Sequence, residues 1–77
     1  MLTLNQLAVG EEASIVRVTE HHLQSRLTDM GLIAGQEVRV VLKAPLGDPI
    51  AIAVQDYVVS LRIAEAQLVE VSNLTND

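Results

Sequence analysis

The densest group of reactive side chains in this sequence is Glu20-His21-His22, which joins one carboxylate to two imidazoles. These ligand types suit Fe²⁺, Zn²⁺ or Ni²⁺. Adjacent histidines rarely face one metal from a single backbone segment, however, and the i, i+4 histidine spacing of helical metal sites is absent. Two interpretations follow: a solvated corner, which we favour, and a divalent transition-metal site with Glu20, His21 and His22 as its candidate ligands.

A catalytic centre is not predicted. The sequence contains no cysteine, no G-x-S-x-G motif, no P-loop and no dinucleotide fingerprint, and its two histidines are adjacent. The candidate nucleophiles are four scattered serines, at positions 14, 25, 60 and 72. The interior of a very small β-barrel is filled by its own side chains, which leaves little room for a substrate. We therefore expect a protein that is not an enzyme and requires no cofactor.

Composition excludes two classes of partner. The net charge is −5, the five basic residues are scattered, and Tyr57 is the only aromatic residue. Nucleic-acid binders concentrate basic residues against phosphates and stack bases on aromatic rings, so neither nucleic acid nor an acidic membrane surface is expected as a ligand. Charges interrupt every apolar run and no signal peptide is visible, which predicts a cytoplasmic protein without membrane insertion.

The hexapeptide A-P-L-G-D-P at 44–49 holds both prolines of the chain between two apolar runs. Pro45 ends the preceding strand, Gly47-Asp48 is predicted to make the reversal, and Pro49 begins the next strand. This rigid loop fixes Leu46 in one of two roles. Leu46 either plugs the open end of the fold or projects as an anchor for a protein partner, and we favour the anchor because rigidity lowers the entropy lost on binding.

The hydrophobic pattern predicts one domain over 1–77, with a core at about 10–71. Apolar residues recur with a period of two, except over 22–30, where Leu23, Leu27 and Met30 share one helix face. The predicted elements are a helical turn at 3–8 with Leu4 and Leu7 inward, a helix at 22–30, strands at 13–18, 37–43, 50–54, 57–62 and 68–71, a turn at 63–66, and a fraying tail at 72–77.

Turn chemistry supports these boundaries. Gly31 follows the helix where a left-handed residue belongs, so that Leu27 and Leu32 would meet in a Schellman ending. Gly35 suits the third position of a type II turn. Gln55-Asp56 is a two-residue hairpin connection.

Five short strands with one inserted helix indicate a small, partly open β-barrel. Alternation places Val38, Val40 and Leu42 on the inner face of the second strand. It turns a smooth, uncharged set of residues outward, which we expect to be covered by another copy of the chain, as in a homo-oligomer, or by a partner. That set is Val41, Ala51, Ala53 and Val58.

The run R-L-T-D-M-G-L-I-A-G-Q-E-V-R-V-V-L-K-A-P-L-G-D-P-I-A-I, followed by S-L-R-I-A-E-A and V-E-V, resembles the FeoA family. The resemblance covers about 15–71 and implies an SH3-like barrel that acts beside FeoB, the membrane transporter of bacterial ferrous iron uptake. Ala34 stands where family members often have proline. Asp56 stands where many have glycine, so Asp56 would have to accept a left-handed φ.

The resemblance and the loop together predict an accessory protein that docks on the cytoplasmic domain of FeoB. The predicted contact residues are the loop Ala44, Pro45, Leu46, Gly47, Asp48 and Pro49, together with Arg62. For Arg62 the alternative is a surface ion pair with Glu65. The second functional hypothesis is a regulator or carrier that binds Fe²⁺ directly, like the SH3-like domain of iron-dependent repressors.

Overall fold

A computed structural model describes residues 1–74 of the chain. The elements in chain order are a 3₁₀ turn at Leu4–Gln6, β1 (Glu12–Val18), α1 (His21–Asp29), β2 (Glu37–Lys43), β3 (Ile50–Val54), β4 (Tyr57–Leu61), α2 (Ile63–Ala66) and β5 (Val69–Asn73). The five strands form one antiparallel sheet in the order β4-β3-β2-β1-β5. The predicted partly open, five-stranded barrel with a helix after β1 is confirmed.

The core is aliphatic and lies inside the curved sheet, closed by α1 and the first turn. Leu4 and Leu7 of that turn are buried, as predicted. Alternating residues of β2 and β3 meet in register, so that Val38 pairs with Val54 and Val40 with Ile52. The buried residues are Leu4, Leu7, Ala13, Ile15, Leu23, Leu27, Leu32, Val38, Val40, Ile50, Ile52, Val54, Leu61, Ala66, Val69 and Val71.

Helix α1 ends in the predicted Schellman motif. The amide of Gly31 donates to the carbonyl of Thr28 at 3.0 Å, and the amide of Leu32 donates to the carbonyl of Leu27 at 2.9 Å. Gly31 has φ 84°, the left-handed geometry that such an ending requires. Leu27 and Leu32 are both buried, so the helix end is part of the core. The turn at Gly35 (φ 89°) is also as predicted, closed by the amide of Gln36 on the carbonyl of Ile33.

Leu42 does not point inward, which corrects the simple alternation predicted for β2. The register between β2 and β3 shifts between Val40 and Leu42, so one extra residue bulges out of β2. A bulge reverses the alternation that follows it. Leu42 is therefore 61% exposed and pairs with Ala51 on the outer face.

Two other expectations also fail. Gln55, with φ 54°, has the positive φ of the β3–β4 hairpin, whereas Asp56 does not, so the first central position rather than the second is left-handed. The tail does not fray from residue 72, because β5 continues to Asn73 and the amide of Leu74 donates to the carbonyl of Glu12. The rest of that predicted tail, 75–77, lies outside the described residues.

Candidate functional site

The loop at 44–49 is a hydrogen-bonded turn between β2 and β3. The amide of Gly47 donates to the carbonyl of Ala44 at 2.7 Å, which makes Pro45 and Leu46 the central residues of the turn. The central residues thus lie two positions earlier than the predicted Gly47-Asp48 pair, and Gly47 (φ 87°) completes the turn. The amide of Ala44 also donates to the carbonyl of Pro49 at 3.0 Å, which closes the base of the loop.

Leu46 projects from the tip of this loop into solvent. Its exposed fraction is 97%, the highest of the exposed large hydrophobic residues among 1–74. A leucine that plugged the open end of the barrel would be buried, so the plug alternative is wrong. An aliphatic side chain on a closed turn is available for contact with a partner without further ordering of the backbone.

Asp48 joins the loop to α2. Its Oδ1 accepts a hydrogen bond from the amide of Ile63, the first residue of α2, at 3.0 Å. The first amides of a helix have no partner within the helix, so a carboxylate at this point satisfies one of them. Two segments fifteen positions apart are therefore held together by one bond.

Glu65 of α2 bonds to the residue before this helix and to α1. Its Oε1 accepts from the amide of Arg62 at 3.0 Å, and its Oε2 accepts from the guanidinium of Arg26 at 2.6 Å. The bond from the Arg62 amide, followed by the hydrogen bond and charge of Arg26, lowers the pKa of the Glu65 carboxyl. Glu65 thus forms its salt bridge with Arg26 of α1. The alternative ion pair between the side chains of Arg62 and Glu65 is not formed within residues 1–74.

These contacts surround a groove of about 430 Å³, here called the loop–helix groove. It unites the loop at 44–49 with the S-L-R-I-A-E-A segment, which the sequence separates by ten residues. Two guanidinium groups and two carboxylates line it beside the apolar Pro49 and Leu61, which suits a partner surface that carries charges. The lining residues are Arg26, Asp48, Pro49, Ser60, Leu61, Arg62 and Glu65.

Sequence reasoning missed Arg26 and Glu65 as members of this groove. Arg26 lies on the exposed side of α1, with its side chain 62% exposed, yet it reaches across to Glu65 of α2. The spacing E-A after S-L-R was a usable signal for Glu65, because a glutamate three residues after a helix N-cap is the acidic member of a capping box. No local signal linked Arg26 to a residue 39 positions away.

The outward residues of the predicted contact patch do lie on the outer face of the sheet. Val41 is 36% and Val58 is 59% exposed, and Ala51 and Ala53 are partly exposed between them. In register, Ala53 pairs with Val58, and Ala51 pairs with both Ser60 and Leu42. Leu42 therefore joins this patch because of the bulge in β2.

Glu20, His21 and His22 do not converge on one point. Glu20 is the N-cap of α1, and its Oε1 accepts from the amide of Leu23 at 2.6 Å. That bond, with a further one from the amide of His22 and the charges of the two imidazoles, lowers the pKa of Glu20. The imidazoles are exposed, with ring centroids 6.1 Å apart and planes inclined at 74°. Over residues 1–74 no cluster of three or more such side chains has a geometry that could hold a metal ion.

No helix within residues 1–74 is long and apolar enough to span a bilayer.

Comparison with known proteins identifies relatives over nearly the whole chain. The family model of the FeoA domain matches residues 2–73. A curated relative, the Fe(2+) transport protein A/Fe(2+) transporter FeoB fusion protein of Porphyromonas gingivalis, is 36% identical over 77 residues. The match covers 99% of this chain but only 9% of the relative, so the chain spans a small fraction of that fusion protein.

Solved structures agree with the fold. The solution structure of FeoA from Chlorobium tepidum superposes with a TM-score of 0.91 at 34% identity, over 99% of this chain and 73% of the other. The zinc complex of Stenotrophomonas maltophilia FeoA, described as an SH3 domain protein, gives a TM-score of 0.82 at 34% identity, over 94% and 91% of the two chains. A manganese-dependent transcriptional repressor shares the fold (TM-score 0.83) at 19% identity, over 95% of this chain and 41% of the repressor.

Proposed function

The chain belongs to the FeoA domain family, and from that premise we propose that it is a non-enzymatic accessory protein of ferrous iron uptake. In this proposal it acts on the cytoplasmic side of a FeoB-type transporter and docks through the loop–helix groove and the loop at 44–49. The fusion of the two kinds of protein in the Porphyromonas gingivalis relative supports this partner. Two functions joined in one chain are held at a high effective concentration, which is useful where they work together.

The observation on which the docking site rests is the exposure of Leu46. A leucine that is 97% exposed contributes nothing to the core, yet its loop is closed by two backbone hydrogen bonds and tied to α2 through Asp48. An apolar side chain on a loop that is already ordered loses little conformational entropy on binding, and this raises affinity. Leu46 is such a side chain, exposed on a loop that hydrogen bonds already hold in place.

The charged groups of the loop–helix groove would orient the transporter domain in the proposed complex. Arg62 is exposed beside Asp48 and Pro49, and its guanidinium makes no salt bridge within residues 1–74. Such a cation is free to pair with a carboxylate on the partner, and charged groups at an interface chiefly fix its register and speed association. Leu46 would provide affinity and Arg62 would provide orientation.

A titration of the protein with the cytoplasmic domain of a FeoB-type transporter tests this proposal. Leu46→Ser should weaken binding by ~1–2 kcal/mol, about five- to thirtyfold, while the variant stays folded. Ile33→Ser is the matched control, because Ile33 is also exposed (48%) but lies beyond the opposite end of the seven-residue β2, about 23 Å away along the strand. Equal affinities for the wild type and Leu46→Ser, or equal losses in both variants, would contradict the proposed site.

Direct metal binding is the second candidate function, since the Stenotrophomonas maltophilia relative is described as a zinc complex. The donor atoms of Glu20, His21 and His22 do not fit a three-ligand site, because the carboxylate of Glu20 accepts the amide of Leu23. Titration of the monomer with Fe²⁺, Co²⁺ or Zn²⁺ separates the candidates. Tight stoichiometric binding that is lost in His21→Ala/His22→Ala would favour a metal-binding regulator or carrier.

A further inference from the structure

The two edge strands of the sheet, β5 and β4, differ in whether other backbone segments bond to their outer sides. At the β5 edge, the amide of Val71 donates to the carbonyl of Leu2, and Thr3 forms a bridge with Glu70. Glu70 also places a charge on this strand, in a salt bridge with Arg17. At the other edge, β4 pairs with β3 alone, and no backbone hydrogen bond within residues 1–74 reaches its outer side.

The hairpin register shows which groups of β4 are unpaired. Val54 pairs with Tyr57 across the two-residue turn, so the amides and carbonyls of Tyr57, Val59 and Leu61 point toward β3. Those of Val58 and Ser60 therefore point away from the sheet. Both residues are exposed, so two amides and two carbonyls form an open row along this edge.

Nothing in the sequence of β4 blocks this edge. Natural edge strands are usually protected by a charge, a proline, a bulge or a covering segment. The strand Y-V-V-S-L has no charged residue and no proline, and its pairing with β3 is regular. Charges lie only at its two ends, with the acid Asp56 before the strand and the base Arg62 after it.

We infer that β4 pairs with β4 of a second copy of this chain, antiparallel and two-fold symmetric about Val59. In that register Val58 of each copy lies opposite Ser60 of the other, so the unpaired amides and carbonyls form four hydrogen bonds. Asp56 of each copy lies opposite Arg62 of the other, so this salt bridge and the one proposed with a carboxylate of the transporter are alternatives for the same guanidinium. The charge order of the strand, acid at one end and base at the other, is self-complementary only in the antiparallel sense.

The backbone and side-chain geometry at Arg62 suits this register. Arg62 has φ −72° and ψ 152°, so the extended backbone continues one residue beyond β4. Val58, Ser60 and Arg62 alternate with the inward Val59 and Leu61 and are exposed. Asp56 is an exposed residue of the hairpin turn that leads into β4, so the two charges stand at opposite ends of this row. Neither forms a salt bridge within the described part of the chain.

The outer patch extends the contact beyond the backbone. Val58 lies beside Ala53, and the patch continues through Ala51 to Leu42, with no charged residue among them. Pairing two such edges creates a ten-stranded sheet with a continuous smooth surface near the two-fold axis. Two five-residue strands bury far less than the ~1,200 Å² of a standard interface, so the dimer should be weak and reversible.

Sedimentation equilibrium of the full chain across micromolar to millimolar concentrations, with two charge reversals, tests this pairing. Asp56→Arg and Arg62→Asp each place like charges opposite one another twice per dimer, and each should lower the association constant about tenfold or more. The double variant restores opposite charges and should recover the wild-type value. Aspartate is itself a good N-cap, so Arg62→Asp should not disturb α2.

Glu37→Arg is the control, because it changes the net charge of −5 by the same two units as Asp56→Arg on an exposed residue two strands away. It should not weaken association. Amide exchange at Val58 and Ser60 should slow as the concentration rises, while exchange elsewhere stays constant. A protein that remains monomeric at millimolar concentration, a single reversal without effect, or a double variant that is not restored would each overturn the inference.

Discussion

Two corners of this molecule combine a leucine with a glycine of positive φ and place the leucine in opposite surroundings. At the end of α1, Leu32 follows Gly31 (φ 84°) and is 1% exposed. At the tip of the β2–β3 loop, Leu46 precedes Gly47 (φ 87°) and is 97% exposed. We call these the helix corner and the loop corner.

The difference lies in what holds each corner in place. The helix corner is held by the core, since Leu32 packs with Leu27 and the hydroxyl of Tyr57 donates to the carbonyl of Met30. The loop corner is held by hydrogen bonds, and the one from the Ile63 amide to Asp48 links it to α2. Similar local chemistry therefore stabilises the fold in one place and leaves an apolar side chain free for recognition in the other.

The largest effect is expected for Leu32→Ala at the helix corner. Leu32 is almost fully buried, so the substitution removes apolar contacts and leaves a cavity. The free energy of unfolding should fall by ~2–5 kcal/mol. Thermal denaturation measures this loss, at about 4–8 °C per kcal/mol for a domain of this size. An unchanged melting temperature would mean that this corner does not contribute to the core.

Gly31→Val should have the next largest effect. A β-branched residue in left-handed geometry costs ~1–2 kcal/mol, and the new Cβ would collide with the hydroxyl of Tyr57. Displacing that hydroxyl also breaks its hydrogen bond to Met30, which is worth about 1 kcal/mol. In a Tyr57→Phe background the loss from Gly31→Val should be smaller, as urea denaturation can show. Equal losses in both backgrounds would show that the cost of Gly31→Val does not depend on the hydroxyl of Tyr57.

Acid should affect α2, the helix to which the loop corner is tied through Asp48, by protonating Glu65. The pKa of Glu65 is lowered from its usual value of 4.5 in the folded protein, so the carboxylate stabilises the fold above that pH. This contribution is lost as the pH falls below 4.5 through the folded pKa. In Glu65→Gln the free energy of unfolding should therefore fall less on acidification than in the wild type. The difference should be less than about 1 kcal/mol, since the pair with Arg26 is exposed to solvent. Identical curves for variant and wild type between pH 3 and 7 would contradict this role.

The smallest effect on stability is expected for Leu46→Ser. Substitutions of exposed residues usually change the free energy of unfolding by no more than about ±0.5 kcal/mol, and Leu46 is 97% exposed. A melting curve should therefore superpose on that of the wild type. A loss near that of Leu32→Ala would show that Leu46 is buried in solution, which would remove the basis for its role in binding.

Much of this fold followed from local pattern. The bounds of β2 and β3, the helix over 21–29 within one residue, the Schellman ending at Gly31 and the turn at Gly35 were all indicated by periodicity and glycine placement. These features depend on residues within a few positions of one another. Steric limits on φ and the hydrophobic period act at that range, so one sequence is sufficient to read them.

The candidate site could be predicted from the sequence only in part. The sequence predicted the rigid loop and Arg62, but it could not show that Asp48 bonds to Ile63 or that Arg26 pairs with Glu65. The latter residues are 39 positions apart, and their meeting depends on how α1 and α2 lie against the barrel.

Tertiary structure alone decided the outer face. A single extra residue in β2 turned Leu42 from core to surface, and no residue type in V-R-V-V-L-K marks where that bulge falls. Likewise, the uncharged strand Tyr57–Leu61 is suited equally to the centre or the edge of a sheet. The order of the strands made it an open edge, because pairing partners are set by the packing of the whole chain rather than by the strand's own residues.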